Sequence, residues 1–86
     1  SHFNKAIELD PEVPAFYGAL AYTFLEKKEY QELVDILEKM LAKHRKYARG
    51  YWRLSKAYEG LGNKTLAAQN LVKAKSLDPE DPYFKD

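Results

Sequence analysis

The tetrapeptide Leu-Asp-Pro-Glu occurs at residues 9–12 and again at 77–80, and its flanks repeat in register: Lys5-Ala6 falls on Lys73-Ala74, and Pro14 on Pro82. The separation is 68 residues in a chain of 86, or two strides of 34. A stride of 34 residues is the length of a pair of helices with their turns. It constrains the fold strongly, because one such pair has more apolar surface than it can bury alone. Successive pairs therefore stack and share a continuous core.

The residues between the two copies fit that stride. Tyr51, Leu54, Ala57, Tyr58 and Leu61 recur at helical spacing, and Gly62-Asn63 then interrupts the pattern. Leu66, Ala67, Leu71, Ala74 and Leu77 form a second apolar stripe, ended by Asp78-Pro79. Moving back by 34, Tyr17, Leu20, Thr23, Phe24 and Lys28 take the slots of Tyr51, Leu54, Ala57, Tyr58 and Gly62. Leu33, Leu37 and Met40 take those of Ala67, Leu71 and Ala74. In the two Leu-Asp-Pro-Glu copies proline stops the preceding helix, and the aspartate before it offers an acceptor to the turn. The chain thus reads as all-α, built of helix-turn-helix tandem repeats. Residues 1–13 are the second helix of a truncated pair, 14–47 and 48–81 are complete pairs, and 82–86 begin a following pair or a capping helix, cut short. Tyr17, Phe24, Tyr51 and Tyr58 are expected to fill the core between helices. Stable arrays usually need about three units, so the chain is expected to be a piece of a longer array that self-associates through exposed repeat ends.

The pattern resembles the tetratricopeptide repeat family, whose signature is Trp-x2-Leu-Gly-x2-Tyr, then Ala-x3-Phe, then Pro. Residues 48–81 match it with Tyr51, Leu54, Ser55, Tyr58, Ala67, Leu71 and Pro79. Residues 14–47 match more weakly, with Tyr17, Leu20, Ala21, Phe24, Leu33 and Leu37. Ala21 and Ser55 are small residues at the glycine position, where two helices approach closely. Leu33 replaces a small alanine, and Arg45 stands where the closing proline is expected. Those departures predict an altered local angle or a longer second helix around residues 43–47. The resemblance implies a right-handed α-solenoid whose concave groove, lined by the first helix of each pair, takes an extended peptide or a helix of a partner.

Composition excludes several classes. Apolar residues make up 45% of the chain and charged residues 31%, with a net charge of +1. That balance argues against intrinsic disorder and against a general affinity for nucleic acid. There is no cysteine, hence no disulfide and no thiol nucleophile. No apolar run approaches the roughly 18 residues of a membrane span, and no signal peptide is visible, so the expected setting is cytoplasmic. Charge is polarised along the chain: residues 1–42 carry a net −4 and residues 43–86 a net +5.

Little in the sequence suggests chemistry. His44 is the one histidine beyond His2 and sits among charged residues, no cluster has metal-ligand spacing, and Gly60-Leu61-Gly62 is a helix end rather than a phosphate loop. The expectation is therefore no catalytic residue, no metal and no cofactor. The acidic run Glu26, Glu29, Glu32, Asp35 and Glu38 reads as a solvated face. The stretch 43–53 is basic with interleaved aromatics, a pattern also used to stack and neutralise nucleic acid. On the helix over 48–61, Arg49, Trp52, Arg53 and Lys56 share one face. The matching face of the earlier helix carries Ala15, Gly18, Ala19, Tyr22 and Glu26, with small residues that leave room for a ligand backbone. Some members of the family that this chain resembles clamp the terminal carboxylate of chaperone tails with lysine, arginine and asparagine. Arg49 and Arg53 match two basic clamp positions, whereas Ala19 stands where asparagine is expected. The sequence thus points to a protein–protein interaction module whose groove residues are Tyr22, Glu26, Arg49, Trp52, Arg53 and Lys56 and whose partner is an acidic peptide or helix. Two other readings stay open: a nucleic-acid contact through 43–53, and a substrate-positioning arm of a larger enzyme or secretion complex.

Overall fold

The computed structural model describes residues 12–84, with side chains from Gly18 onward. The expected truncated helix over residues 1–13 falls almost wholly outside that range, as does the side chain of Tyr17. Four α-helices follow one another: α1 (Glu12–Glu26), α2 (Tyr30–Lys43), α3 (Ala48–Leu61) and α4 (Lys64–Leu77). One turn of 3-10 helix, Pro82–Phe84, comes last. The chain is a helical-repeat solenoid, and its described residues contain no strand. They form an elongated body of 38 × 23 × 21 Å.

The stride of 34 is visible in the helix bounds. α2 and α4 both run for 14 residues and start at 30 and 64, one stride apart. The turns inside the two hairpins also correspond. Gly62 ends α3 with φ 81° and ψ 9°, in the left-handed region, and donates its N–H to the Glu59 carbonyl. Glycine enters that region without the Cβ clash that penalises other residues. Lys28, one stride earlier, adopts φ 60° between α1 and α2. Asn63 then caps α4 by accepting the Leu66 N–H on its side chain at 3.1 Å. Glu29, in the same slot before α2, makes no side-chain cap.

The second helix of the first hairpin does not run on through residues 43–47. α2 stops at Lys43, where the His44 N–H closes on the Met40 carbonyl. Tyr47 N–H returns to the His44 carbonyl, and the Tyr51 hydroxyl donates to the Arg45 carbonyl at 2.8 Å. The exit from α4, which does carry a proline, makes the same two backbone bonds one stride later, Asp78 N–H to the Ala74 carbonyl and Asp81 N–H to the Asp78 carbonyl, so the first turn takes the same form without the proline.

Two layers of packing hold the helices. Ala21, Leu33, Val34, Leu37, Met40, Leu41, Leu54 and Ala57 form a buried cluster, with Phe24, Tyr51 and Tyr58 half-buried against it. Leu33 and Leu37 have no solvent exposure, and each buried side chain of that size contributes about 1.5–3 kcal/mol of transfer free energy. Ala21 and Ser55, the small residues read as close-approach positions, are 1% and 2% exposed. A second cluster joins Ala48, Ala74 and Phe84, flanked by Tyr51, Trp52 and Leu77. It fixes the 3-10 turn to the α3–α4 pair.

Candidate partner-binding face

α3 is amphipathic in a particular way. Leu54, Ser55 and Ala57 turn into the core, while Arg49, Trp52, Arg53 and Lys56 recur at intervals of three and four and so share another face. Trp52 is the centre of that face. The Arg53 guanidinium carbon lies 5.9 Å from the indole ring centroid, and the Lys56 ammonium lies 5.7 Å from it. Both distances suit cation–π attraction. Arg53 Nη1 donates to the Tyr47 hydroxyl at 3.3 Å. Its other nitrogen, Nη2, lies against Gly18 of α1, where an added methyl group would come within 3.2 Å. Without a Cβ at Gly18 the guanidinium has room beside α1; an added methyl group would require it to shift slightly. Lys56 is 4.0 Å from Glu59, a loose exposed contact between residues one turn apart.

Arg49 is engaged differently. Its Nε donates to Asp81 Oδ2 at 2.8 Å and its Nη2 to Oδ1 at 3.2 Å, a two-pronged ion pair. Asp81 is 7% exposed, and its Oδ1 also accepts the Tyr83 N–H at 3.0 Å. The Arg49 hydrogen bonds, helped by that backbone donor, hold the Asp81 carboxyl below its ordinary pKa against the opposing effect of burial. The same pair raises the Arg49 guanidinium. The guanidinium carbon stacks 3.9 Å above the Tyr83 ring, and Trp52 meets Tyr83 edge-on at 5.4 Å and Phe84 at 6.3 Å.

The groove residues read from sequence thus fall into two groups. Arg53 and Lys56 gather around the Trp52 indole on α3, while Arg49 on the same face turns to Asp81 and Tyr83. Tyr22 and Glu26 form their own pair on α1, one and two turns beyond Gly18 on its face. Tyr22 is 67% exposed, and the Glu26 carboxylate one turn along α1 raises its hydroxyl above the ordinary tyrosine pKa. Ala19 is exposed and its carbonyl accepts the Thr23 hydroxyl at 3.1 Å. Asp81 and Tyr83 escaped the sequence reading as site residues: Asp81 was taken as the end of the 48–81 pair and Tyr83 as part of a following pair or capping helix, cut short. One signal for them was available: an acid 32 residues after Arg49, one stride less two, falls beside the arginine once pairs stack.

The basic stretch 43–53 is divided by the fold. Arg45 and Lys46 are exposed in the turn, whereas Tyr47 and Tyr51 pack on the core. Trp52 is left as the ring that faces the α3 cations. Among the described residues no group of three or more His, Cys, Asp or Glu could hold a metal, and no helix is long and apolar enough to cross a membrane.

A family profile of the tetratricopeptide repeat matches residues 48–81. Stress-induced-phosphoprotein 1 of Caenorhabditis elegans is 37% identical over 62 residues, covering 72% of this chain and 19% of the relative. The Hsp70-Hsp90 organizing protein of Triticum aestivum is 31% identical over 84 residues, covering 98% of this chain and 14% of the relative. The human DnaJ homolog subfamily C member 7 is 26% identical over 78 residues, covering 91% of this chain and 16% of the relative. The chain therefore spans less than a fifth of the length of each. No solved structure matches it. With its stacked helical hairpins and the matched unit at 48–81, the chain belongs to the tetratricopeptide repeat family of protein–protein interaction modules.

Proposed function

We propose that this module captures an acidic segment of a partner protein on the α3 face, with Arg53 and Lys56 meeting the carboxylates and Trp52 supporting them. The observation that carries this reading is the placing of two cations on one indole: Arg53 at 5.9 Å and Lys56 at 5.7 Å from its centroid. Arginine offers a carboxylate two parallel hydrogen bonds, and the adjoining ring supplies apolar contact for the ligand's stem. Gly18 and Ala19 keep the neighbouring stretch of α1 low. Tyr22 and Glu26 would border the ligand from α1 and favour a segment of mixed charge at that end. The names of the relatives suggest a chaperone or co-chaperone as the partner class. A complete carboxylate clamp is not part of the proposal, because Ala19 lacks a side-chain amide and Arg49 already holds Asp81. Residues 14–47 are proposed as a second repeat, supported by the common stride of α2 and α4 and by the paired left-handed residues Lys28 and Gly62.

Peptide capture is favoured over nucleic-acid contact because Tyr47 and Tyr51 pack on the core and offer no row of stacking faces. The test is fluorescence anisotropy with a labelled glutamate-rich decapeptide and a labelled oligothymidylate. The proposal expects Arg53→Glu with Lys56→Glu to weaken the decapeptide at least tenfold while circular dichroism stays unchanged. Tighter oligothymidylate binding with a steep salt dependence would favour the nucleic-acid reading instead.

A further inference from the structure

Arg53 and Lys56 share the Trp52 ring, but they are held differently. Lys56 is exposed, and its only ion pair among the described residues is the loose one to Glu59 at 4.0 Å. Arg53 is half-buried, and three elements bear on its guanidinium. Nη1 donates to the hydroxyl of Tyr47, in the turn before α3, at 3.3 Å. Nη2 rests beside Gly18 of α1, 3.2 Å from where a methyl group would stand. The guanidinium carbon lies 5.9 Å from the Trp52 ring centroid on α3 itself. Tyr47 is in turn fixed. Its ring packs half-buried on the core cluster, and its N–H closes on the His44 carbonyl at 3.1 Å. The acceptor that Arg53 meets is thus carried by the core and not by a mobile surface side chain.

A guanidinium can offer a carboxylate two parallel donors, either from Nη1 with Nη2 or from Nε with Nη2. With Nη1 committed to Tyr47, the edge left on Arg53 is Nε with Nη2, and neither donates to an acceptor among the described residues. Arg49, one turn earlier on α3, uses that same edge on the Asp81 carboxylate, at 2.8 and 3.2 Å. Building on the acidic-segment reading above, we infer that Tyr47 is a positioning residue of the face: its hydroxyl holds Arg53 so that a partner carboxylate is taken side-on through Nε and Nη2. Tyr47 itself does not touch the ligand. Orienting the guanidinium in advance removes part of the ordering cost that a flexible side chain incurs on binding. Arg53 then supplies geometry, while Lys56 supplies charge.

The experiment is a double-mutant cycle, read by calorimetric titration of the whole 86-residue chain with the glutamate-rich decapeptide. The forms compared are the unaltered chain, Tyr47→Phe, Arg53→Ala and the two together. Tyr47→Phe keeps the ring that packs on the core and removes only the hydroxyl. It should weaken the decapeptide about fivefold while Arg53 is present and have no effect once Arg53 is alanine. A merely structural role for Tyr47 would lower affinity alike in both backgrounds. That result, or unchanged binding by Tyr47→Phe with Arg53 present, overturns the inference. A second readout needs no substitution: the Arg53 Nε–H resonance of the isotope-labelled chain should move during the titration. A silent Nε–H while the Trp52 indole shifts overturns the side-on geometry. Charge reversal at Arg53 and Lys56 judges the underlying reading separately. If Arg53→Glu with Lys56→Glu leaves decapeptide binding intact, that reading fails and the inference with it. If charge reversal weakens binding and Tyr47→Phe does not, the inference alone fails.

Discussion

Lys28 and Gly62 stand one 34-residue stride apart and are the two described residues whose backbone enters the left-handed region, at φ 60° and 81°. Each closes the first helix of its hairpin. The geometry is equivalent, but the chemistry is not: only Gly62 adopts it without a Cβ clash. Lys28→Gly should therefore raise stability by about 1 kcal/mol, and Gly62→Ala should lower it by about as much. Urea unfolding measures both. A destabilising Lys28→Gly would show that the first turn does not share the geometry of the second.

The turn also differs at the next residue. Asn63 caps α4 through the Leu66 N–H, while Glu29 leaves α2 without a side-chain cap. Asn63→Ala should cost about 1 kcal/mol, and Glu29→Asn should gain from 0.5 to about 1 kcal/mol by supplying the missing acceptor. Thermal unfolding followed by circular dichroism reads both changes, and a neutral Asn63→Ala would remove the cap from the account.

Core and surface positions should separate sharply. Leu37 has no exposure and Val72 on α4 is 66% exposed. Leu37→Ala should cost about 2–5 kcal/mol, enough to unfold much of so small a module, whereas Val72→Ala should stay within about 0.5 kcal/mol. Comparable effects at the two sites would contradict the packing described.

The Arg49–Asp81 pair carries a pH signature. Pairing lowers the folded-state pKa of Asp81 below its ordinary 3.8. Its contribution to stability is therefore complete above that ordinary value and is lost as the pH falls through the lowered folded value. Asp81→Asn should be less stable than the unaltered chain at pH 7, and the gap should narrow as the pH falls below 3.8 and through the lowered folded value. A gap that does not narrow at all as the pH falls below 3.8 would mean that the carboxylate charge is not what holds the segment.

The stride, the helix pairs and the close-approach positions Ala21 and Ser55 were legible in the sequence because periodic burial leaves a periodic pattern. The end of α2 was not. It stops at Lys43, with the His44 N–H on the Met40 carbonyl, although no proline follows, and the Tyr51 hydroxyl's bond to the Arg45 carbonyl is a contact between neighbouring elements that the pattern does not announce. The face around Trp52 was legible for the same reason as the core, since Arg49, Trp52, Arg53 and Lys56 share one side of one helix. The state of Arg49 was hidden. Its partner lies 32 residues away, and only the stacking of the last turn on α3 brings Asp81 to it. Tyr22 and Glu26 were placed in the groove by the family resemblance together with their spacing, and the effect of the Glu26 carboxylate on the Tyr22 hydroxyl is a local one that the spacing permits but does not reveal.

The central claim, that the α3 face around Trp52 receives an acidic segment, is tested most directly by amide and indole N–H chemical shifts of the isotope-labelled chain during titration with the glutamate-rich decapeptide. The account predicts the largest shifts at the Trp52 indole, Arg53, Lys56 and Gly18, with α4 around Val72 unmoved. Shifts centred on Val72, or on the exposed turn at Arg45 and Lys46 with Trp52 silent, would contradict it.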